Sequence, residues 1–108
     1  MKIKFSKRSI SKKCLIDISK VIRSGWLTHG KYTKLFEEKF RTFTNSKYSL
    51  TVSSCTAGLH LSCLAAGFKN GDEVIVPAMT HTATAHAVEY TGAKVIFCDV
   101  CPNTGNLT

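Results

Sequence analysis

Apolar positions recur with helical spacing in the first part of the chain and then change period. Cys14, Leu15, Ile18, Val21 and Ile22 form a one-sided stripe, the spacing of an amphipathic helix. Ser11 stands where an N-cap belongs, and Ser24-Gly25 supplies the stop signal. A glycine-bounded loop follows, Gly25-Trp26-Leu27-Thr28-His29-Gly30, with a large aromatic inside it. Residues 32–43 then predict a second helix, with Tyr32, Leu35, Phe36, Phe40 and Phe43 on one face. From Tyr48 the pattern becomes strand, helix, strand, helix, strand. The strands fall at 48–52, 73–76 and 94–98, and the helices at 56–67 and about 80–91. Short apolar strands alternating with helices of this length predict βαβ units and a parallel sheet. The fold class is therefore α/β: two amino-terminal helices, then βαβαβ.

The 108 residues amount to one small domain, with 44% hydrophobic and 20% charged residues, a globular composition rather than a disordered or fibrous one. No apolar run approaches the roughly 18 to 20 residues that span a bilayer. The basic start lacks an apolar stretch and a cleavage site, so it is no secretory signal. Charge is unevenly placed: residues 1–47 hold thirteen of the fifteen Lys and Arg and three of the seven acids, a balance of +10. Residues 48–108 hold two basic and four acidic residues, a balance of −2. Such a basic half could meet phosphates. The aromatics Phe36, Phe40 and Phe43, however, have core-like spacing rather than that of a base-stacking platform. Solvated helix faces are the simpler reading, and nucleic acid is not the expected partner.

Five cysteines, at 14, 55, 63, 98 and 101, are an odd count without a signal peptide. They point to free thiols in a reducing cytoplasm. Cys98 and Cys101 form a C-x-x-C, but no second pair exists to complete a zinc site. Pro102-Asn103-Thr104-Gly105 reads as a turn rather than the helix start of a redox motif. His81 and His86 are five apart, on different sides of a helix, and His29 and His60 are isolated. No metal site is expected.

Ligands of open parallel sheets bind beyond the carboxyl ends of the strands. Three segments should line that edge: 53–58, 78–82 and 99–101. Ser53-Ser54-Cys55-Thr56-Ala57-Gly58 follows a strand and opens a helix, where free backbone amides and the helix dipole favour a phosphate. The same pattern also serves as a plain N-cap. Neither a G-x-G-x-x-G nor a G-x-x-x-x-G-K-[ST] loop is present, which disfavours dinucleotide and Mg-ATP sites. His81, just past the second strand, suits stacking on a planar heteroaromatic ligand, or capping.

Six segments in register give the chain a family resemblance. They are Ser-Gly-Trp-Leu-Thr-x-Gly (24–30), Phe-Glu-Glu-Lys-Phe (36–40), Ser-x-Thr-Ala-Gly-Leu-His (54–60), Gly-Asp-Glu-Val-Ile-Val-Pro (71–77), Thr-His-Thr-Ala-Thr-Ala-His-Ala-Val-Glu (80–89) and Phe-x-Asp-Val (97–100). In this order the chain resembles the DegT/StrS-type sugar aminotransferases, pyridoxal-phosphate (PLP) enzymes of the aspartate-aminotransferase-like fold. The resemblance runs from about residue 11 to the end. It implies the amino-terminal part of the PLP-dependent transferase large domain, truncated. Residues 1–47 would be a helical, interface-forming segment, and 48–108 a βαβαβ segment with a phosphate cup. It implies that the amides of Thr56 and Ala57 hold the PLP phosphate and that His81 stacks on the pyridine ring. Trp26 and Thr28 would lie on a substrate and interface loop. Cys55 departs from the family's usual Gly and Cys101 from its usual Asp; Cys55 is tolerable if its φ is negative.

The same resemblance implies transfer of an amino group from glutamate to a nucleotide-linked keto-sugar, in a cytoplasmic homodimer with no membrane segment. Catalysis needs an aldimine-forming lysine and a carboxylate on the pyridine nitrogen, which in the family lie further downstream. Lys69 and Lys94, the two lysines of residues 48–108, belong to the opposite edge of the sheet. The chain alone is expected to be inactive, with weak or absent PLP binding. Two other functions stay open. One is the sugar dehydratase of family members that lack the lysine; the other is a non-catalytic basic binding module. Uncompleted sheet edges further predict poor solubility or a partner.

Overall fold

A computed structural model describes Ser6 and residues 9–108; the basic opening residues 1–5 and 7–8 lie outside the described residues. The chain divides into two units, 1–51 and 52–108.

The first unit is helical. α1 (Lys12–Arg23) starts where Ser11 Oγ accepts the Cys14 amide at 3.2 Å, the expected cap. Lys20 and Arg23 in the last turn complement the helix dipole. The helix closes through Ser24, whose hydroxyl donates to the Val21 carbonyl at 2.7 Å. α2 (Lys31–Phe43) begins one residue earlier than its apolar stripe suggests, after an extended Gly30. It carries an Arg41–Glu38 ion pair at 2.7 Å and a Phe36–Phe40 contact at 5.9 Å between ring centroids. Both helices show the amphipathic stripe, yet neither has a buried residue. Their apolar faces are presented, not covered.

Residues 48–52 do not form the expected first strand: they belong to no ladder among the described residues. A strand is defined by its partner, and β propensity without one does not make a sheet. This segment is instead tied back to α2. Glu37 Oε1 accepts both the Thr51 amide, at 2.8 Å, and the Thr51 hydroxyl, at 2.7 Å. These two bonds hold the Glu37 carboxyl below its ordinary 4.5, with His29 and Lys34 adding smaller electrostatic contributions. A depressed carboxyl makes the tie fully present above 4.5 and loses it as the pH falls through the lower folded value. The Thr51 amide proton should therefore titrate in NMR with a midpoint below 4.5, and Glu37→Gln should abolish that transition. A midpoint at or above 4.5 would refute the tie.

The second unit is α/β. α3 (Cys55–Ala65), β1 (Glu73–Pro77), α4 (Thr82–Glu89) and β2 (Lys94–Cys98) follow in order. β1 and β2 pair in parallel, from Glu73 with Lys94 to Pro77 with Cys98, so the predicted βαβ unit is formed. α4 is shorter than the sequence pattern suggests because His81 occupies the cap position outside it. The core is small: Val76 at 2% exposure, Val88 at 3% and Ala93 at 5%, with Cys63, Phe68, Val74 and Val95 packed around them. Val76 comes from β1 and Val88 from α4, so the crossover helix is the element that gives the sheet an inside. Ala83 and Ala87 are also buried, small enough to let α4 lie close to its neighbours. Gly92, at φ +84°, turns the chain from α4 into β2 where an added Cβ would fall 3.5 Å from the Asn70 backbone nitrogen, a left-handed bend that suits glycine.

Candidate functional site

The crossover fixes the direction of α4: its N-terminus follows the carboxyl end of β1, and its C-terminus returns to the start of β2. α3 lies beside it in the same sense. His60, the sixth residue of α3, and His86, the fifth of α4, both lie against the Tyr90 ring, at 5.3 Å and 6.0 Å between centroids, and past the C-terminal ends of the two helices Asn70 lies beside Gly92. Two helix N-termini thus share one end of the helical layer, beyond the carboxyl ends of the strands. That is where an α/β sheet binds its ligands.

Three of the five site residues expected from the sequence come to this end. Thr56 and Ala57 occupy the first turn of α3, and His81 caps α4. Ser54 Oγ accepts the Ala57 amide at 3.1 Å, leaving the Cys55 and Thr56 amides as the unshared donors of that turn. A hydroxyl can accept and donate at once, so Ser54 can cap Ala57 while offering its proton to an anion. This residue belongs with the candidate site, and the N-cap reading of its sequence is what reveals it. Cys55 is helical, and among the described residues the non-glycine residue at positive φ is Asn45, so the Cys55 side chain adds no backbone strain.

The His81 imidazole is held by its own helix. Nδ1 accepts the Ala83 amide at 3.1 Å, so the neutral ring carries its proton on Nε2. Both capping and stacking were open from the sequence; the structure shows the cap, and the cap fixes the ring while leaving its faces exposed. Beyond β2, the Asp99–Asn106 segment folds into the expected turn, with the Gly105 amide 2.8 Å from the Cys101 carbonyl. The Cys101 thiol is pulled below its ordinary range by the Thr104 hydroxyl and the Asn103 and Thr104 amides. Among the described residues, all five cysteines are free, and no group of three or more His, Cys, Asp and Glu could hold a metal ion.

The lysines of this unit stand elsewhere. Lys94 opens β2 and pairs with Glu73 Oε1 at 2.7 Å, at the amino end of the sheet. Lys69 lies in the turn before β1, where its amide donates to Asp72 at 2.9 Å.

Trp26 and Thr28 belong to the first unit. Trp26 Nε1 donates to the His29 carbonyl at 3.1 Å, and the Trp26 amide meets Ser24 Oγ at 3.3 Å. A Cβ on Gly30 would fall 2.6 Å from the indole Cδ1. The ring is thus laid onto its own loop and still 62% exposed.

Residues 8–108 match the DegT/DnrJ/EryC1/StrS aminotransferase family. The chain is 38% identical over 98 residues to a spore coat polysaccharide biosynthesis protein of Bacillus subtilis, covering 91% of this chain and 25% of that protein. It is 43% identical over 83 residues to the GDP-perosamine synthase of Escherichia coli O157:H7, covering 76% of this chain and 23% of the synthase. Among solved structures, the PLP form of a putative sugar aminotransferase from Streptococcus pneumoniae superposes with a TM-score of 0.88 at 33% identity, over 97% of this chain and 27% of that one. An E. coli GDP-4-keto-6-deoxy-D-mannose-3-dehydratase with bound hydrated PLP gives 0.87 at 31%, over 95% and 28%. The chain thus spans about a quarter of the length of these relatives. With its parallel βαβ unit in place and the match running over nearly its whole length, the chain belongs to the DegT/DnrJ/EryC1/StrS aminotransferase family.

Proposed function

We propose that this chain corresponds to the amino-terminal part of a PLP-dependent aminotransferase that acts on a nucleotide-linked keto-sugar with glutamate as amino donor. The observation that carries the reading is the shared end of α3 and α4. It presents unshared amides from one helix and a fixed, exposed imidazole from the other. The residues fit the cofactor: free donors and small side chains suit its phosphate, and a flat ring face suits its pyridine. When bound, the cofactor supplies an electron sink for the amino-group transfer.

In this proposal Thr56 and Ala57 hold the phosphate, Thr56 through its unshared amide and Ala57 through the Ser54 hydroxyl that caps its amide and donates to the anion. His81 packs its face on the ring, with Nδ1 committed to Ala83 and its proton on Nε2. Trp26 and Thr28 serve the substrate and the dimer interface. Residues 1–47 act as the interface-forming segment, and 48–108 contribute the phosphate cup. The whole enzyme is proposed to be a cytoplasmic homodimer; among the described residues no helix is long and apolar enough to cross a membrane. A second reading, the PLP-dependent sugar dehydratase, is favoured by the likeness to the dehydratase structure. Its deciding residue is the aldimine-forming lysine, which this chain does not supply at the carboxyl edge of β1 and β2.

Pyridoxamine phosphate is the ligand for the test, because pyridoxal phosphate would bond to surface lysines. Titrated into the isotope-labelled chain, it should bind with a Kd of about 1 mM, or roughly −4 kcal/mol. It should move the amide resonances of 54–58 and 81–83, whereas pyridoxamine without its phosphate should not. Shifts confined to other residues, or none by about ten times that concentration, would overturn the assignment.

A further inference from the structure

The first unit carries a concavity of about 870 Å³ between the end of α1 and the start of α2. That lies within the 300–1,000 Å³ range of small-molecule sites. We propose that it receives the nucleoside diphosphate end of the substrate. The base would lie against Trp26 and Tyr32, and Lys31 and Lys34 would meet the diphosphate. This rests on the nucleotide-sugar reading and deepens it by naming the residues that recognise the nucleotide.

Three features of the lining carry the inference. First, Trp26 is a rigid aromatic presented to solvent. Its indole nitrogen is bonded to His29 O at 3.1 Å, and the ring lies against Gly30, so little side-chain freedom remains to be lost on binding. Tyr32 lines the same space. Second, Lys31 and Lys34 line it as well, and neither joins an ion pair among the described residues. Third, among the described residues no carboxylate lines it. Glu37, whose carboxyl is lowered chiefly by Thr51 and in small part by the charges of His29 and Lys34, has both Thr51 bonds on its Oε1. Free cations beside a fixed aromatic face match a ligand with an anionic end and a planar end. Thr28 and Thr33 line the same space, and hydroxyl side chains suit a ribose.

Trp26 is the one tryptophan of the chain, so its fluorescence reports this site directly. The 108-residue chain would be titrated with UDP and thymidine diphosphate, then with uridine and with inorganic pyrophosphate. The diphosphates should quench saturably. Uridine should bind about tenfold more weakly, a factor equal to 1.4 kcal/mol. Lys31→Ala and Lys34→Ala should each weaken UDP several-fold while leaving the Trp26 emission of the free chain unchanged. Gly30→Ala should displace the indole and lower the quench without altering either cation. Circular dichroism of each variant should show α2 retained.

Absence of a saturable quench by either diphosphate would overturn the proposal. Pyrophosphate competing as well as UDP would overturn it too, by leaving an anion site without base recognition. A short oligouridylate binding more than tenfold tighter than UDP would identify a single-stranded nucleic-acid surface instead. The readout is independent of the cofactor: pyridoxamine phosphate can fail at 54–58 while UDP binds at Trp26. Failure of this site and failure of the aminotransferase reading are thereby distinguishable.

Discussion

Given PLP, glutamate and a nucleotide-linked keto-sugar, the 108-residue chain should form amino sugar no faster than the cofactor does in buffer. The expected deficit is the full enzymatic enhancement, on the order of 10⁶-fold or more. Transamination needs a base that moves a proton over the cofactor plane. At the carboxyl end of β1 and β2, among the described residues, no lysine stands to do it, and Asp99 Oδ1 accepts the Val100 amide at 2.8 Å. His81 spends Nδ1 on the Ala83 amide. Lys94 is drawn to Glu73 at the far end of the sheet, and Lys69 lies in the turn before β1. A lysine on the wrong edge cannot be brought across by rotamer changes, since β1 alone spans five residues, about 16 Å at 3.3 Å each. A coupled assay for the keto acid formed from glutamate checks this. Turnover above the buffer rate that survives chromatography of the chain would sink it.

The local signals in the sequence were legible where one residue's chemistry sets one structure. Ser11 caps α1, Ser24 and Gly25 end it, and the Pro102–Gly105 run turns the chain after β2. The parallel pairing of β1 with β2 was also readable, because two apolar runs flanking a short helix leave few other topologies. Residues 48–52 show the limit of such reading. Their composition favours a strand, but a ladder depends on a partner distant in sequence, and here Glu37 takes up the Thr51 amide instead. No periodicity connects residues fourteen apart in this way.

The candidate site divides along the same line. That 53–58 and His81 belong to the carboxyl edge followed from the strand positions. Which atoms are free there did not: the Ser54–Ala57 and His81–Ala83 bonds are contacts of folded caps. Trp26 could be singled out as a large aromatic between glycines. Its fixed orientation, and the company of Lys31 and Lys34, emerge only once α1 and α2 bring the loop into a concavity.

Replacing Val88 by Asp should unfold the second unit, whereas Ile75→Asp should leave it folded and more soluble. Both positions are apolar in sequence, but alternation along β1 puts Val74 and Val76 on the face packed by α4 and Ile75 on the other. Val88 is 3% exposed against Val76 and Ala93. A carboxylate there has no partner, and burying an unpaired charge costs several kcal/mol. A core of five buried side chains, three of them alanines, has little reserve to offset that, since even whole domains hold only about 5–15 kcal/mol. Ile75 is 63% exposed and pairs across the ladder with Ile96, on a sheet face that no helix of this unit covers. Parallel sheets normally have both faces covered. A bare apolar face invites self-association, and one charge on it disfavours stacking without entering the core. Amide NMR dispersion of 52–108 should collapse in Val88→Asp and persist in Ile75→Asp, with a larger monomer fraction by size exclusion. If both variants unfold, the face bearing Ile75 is part of the core after all. If Val88→Asp keeps its dispersion, α4 is not what gives this sheet its inside.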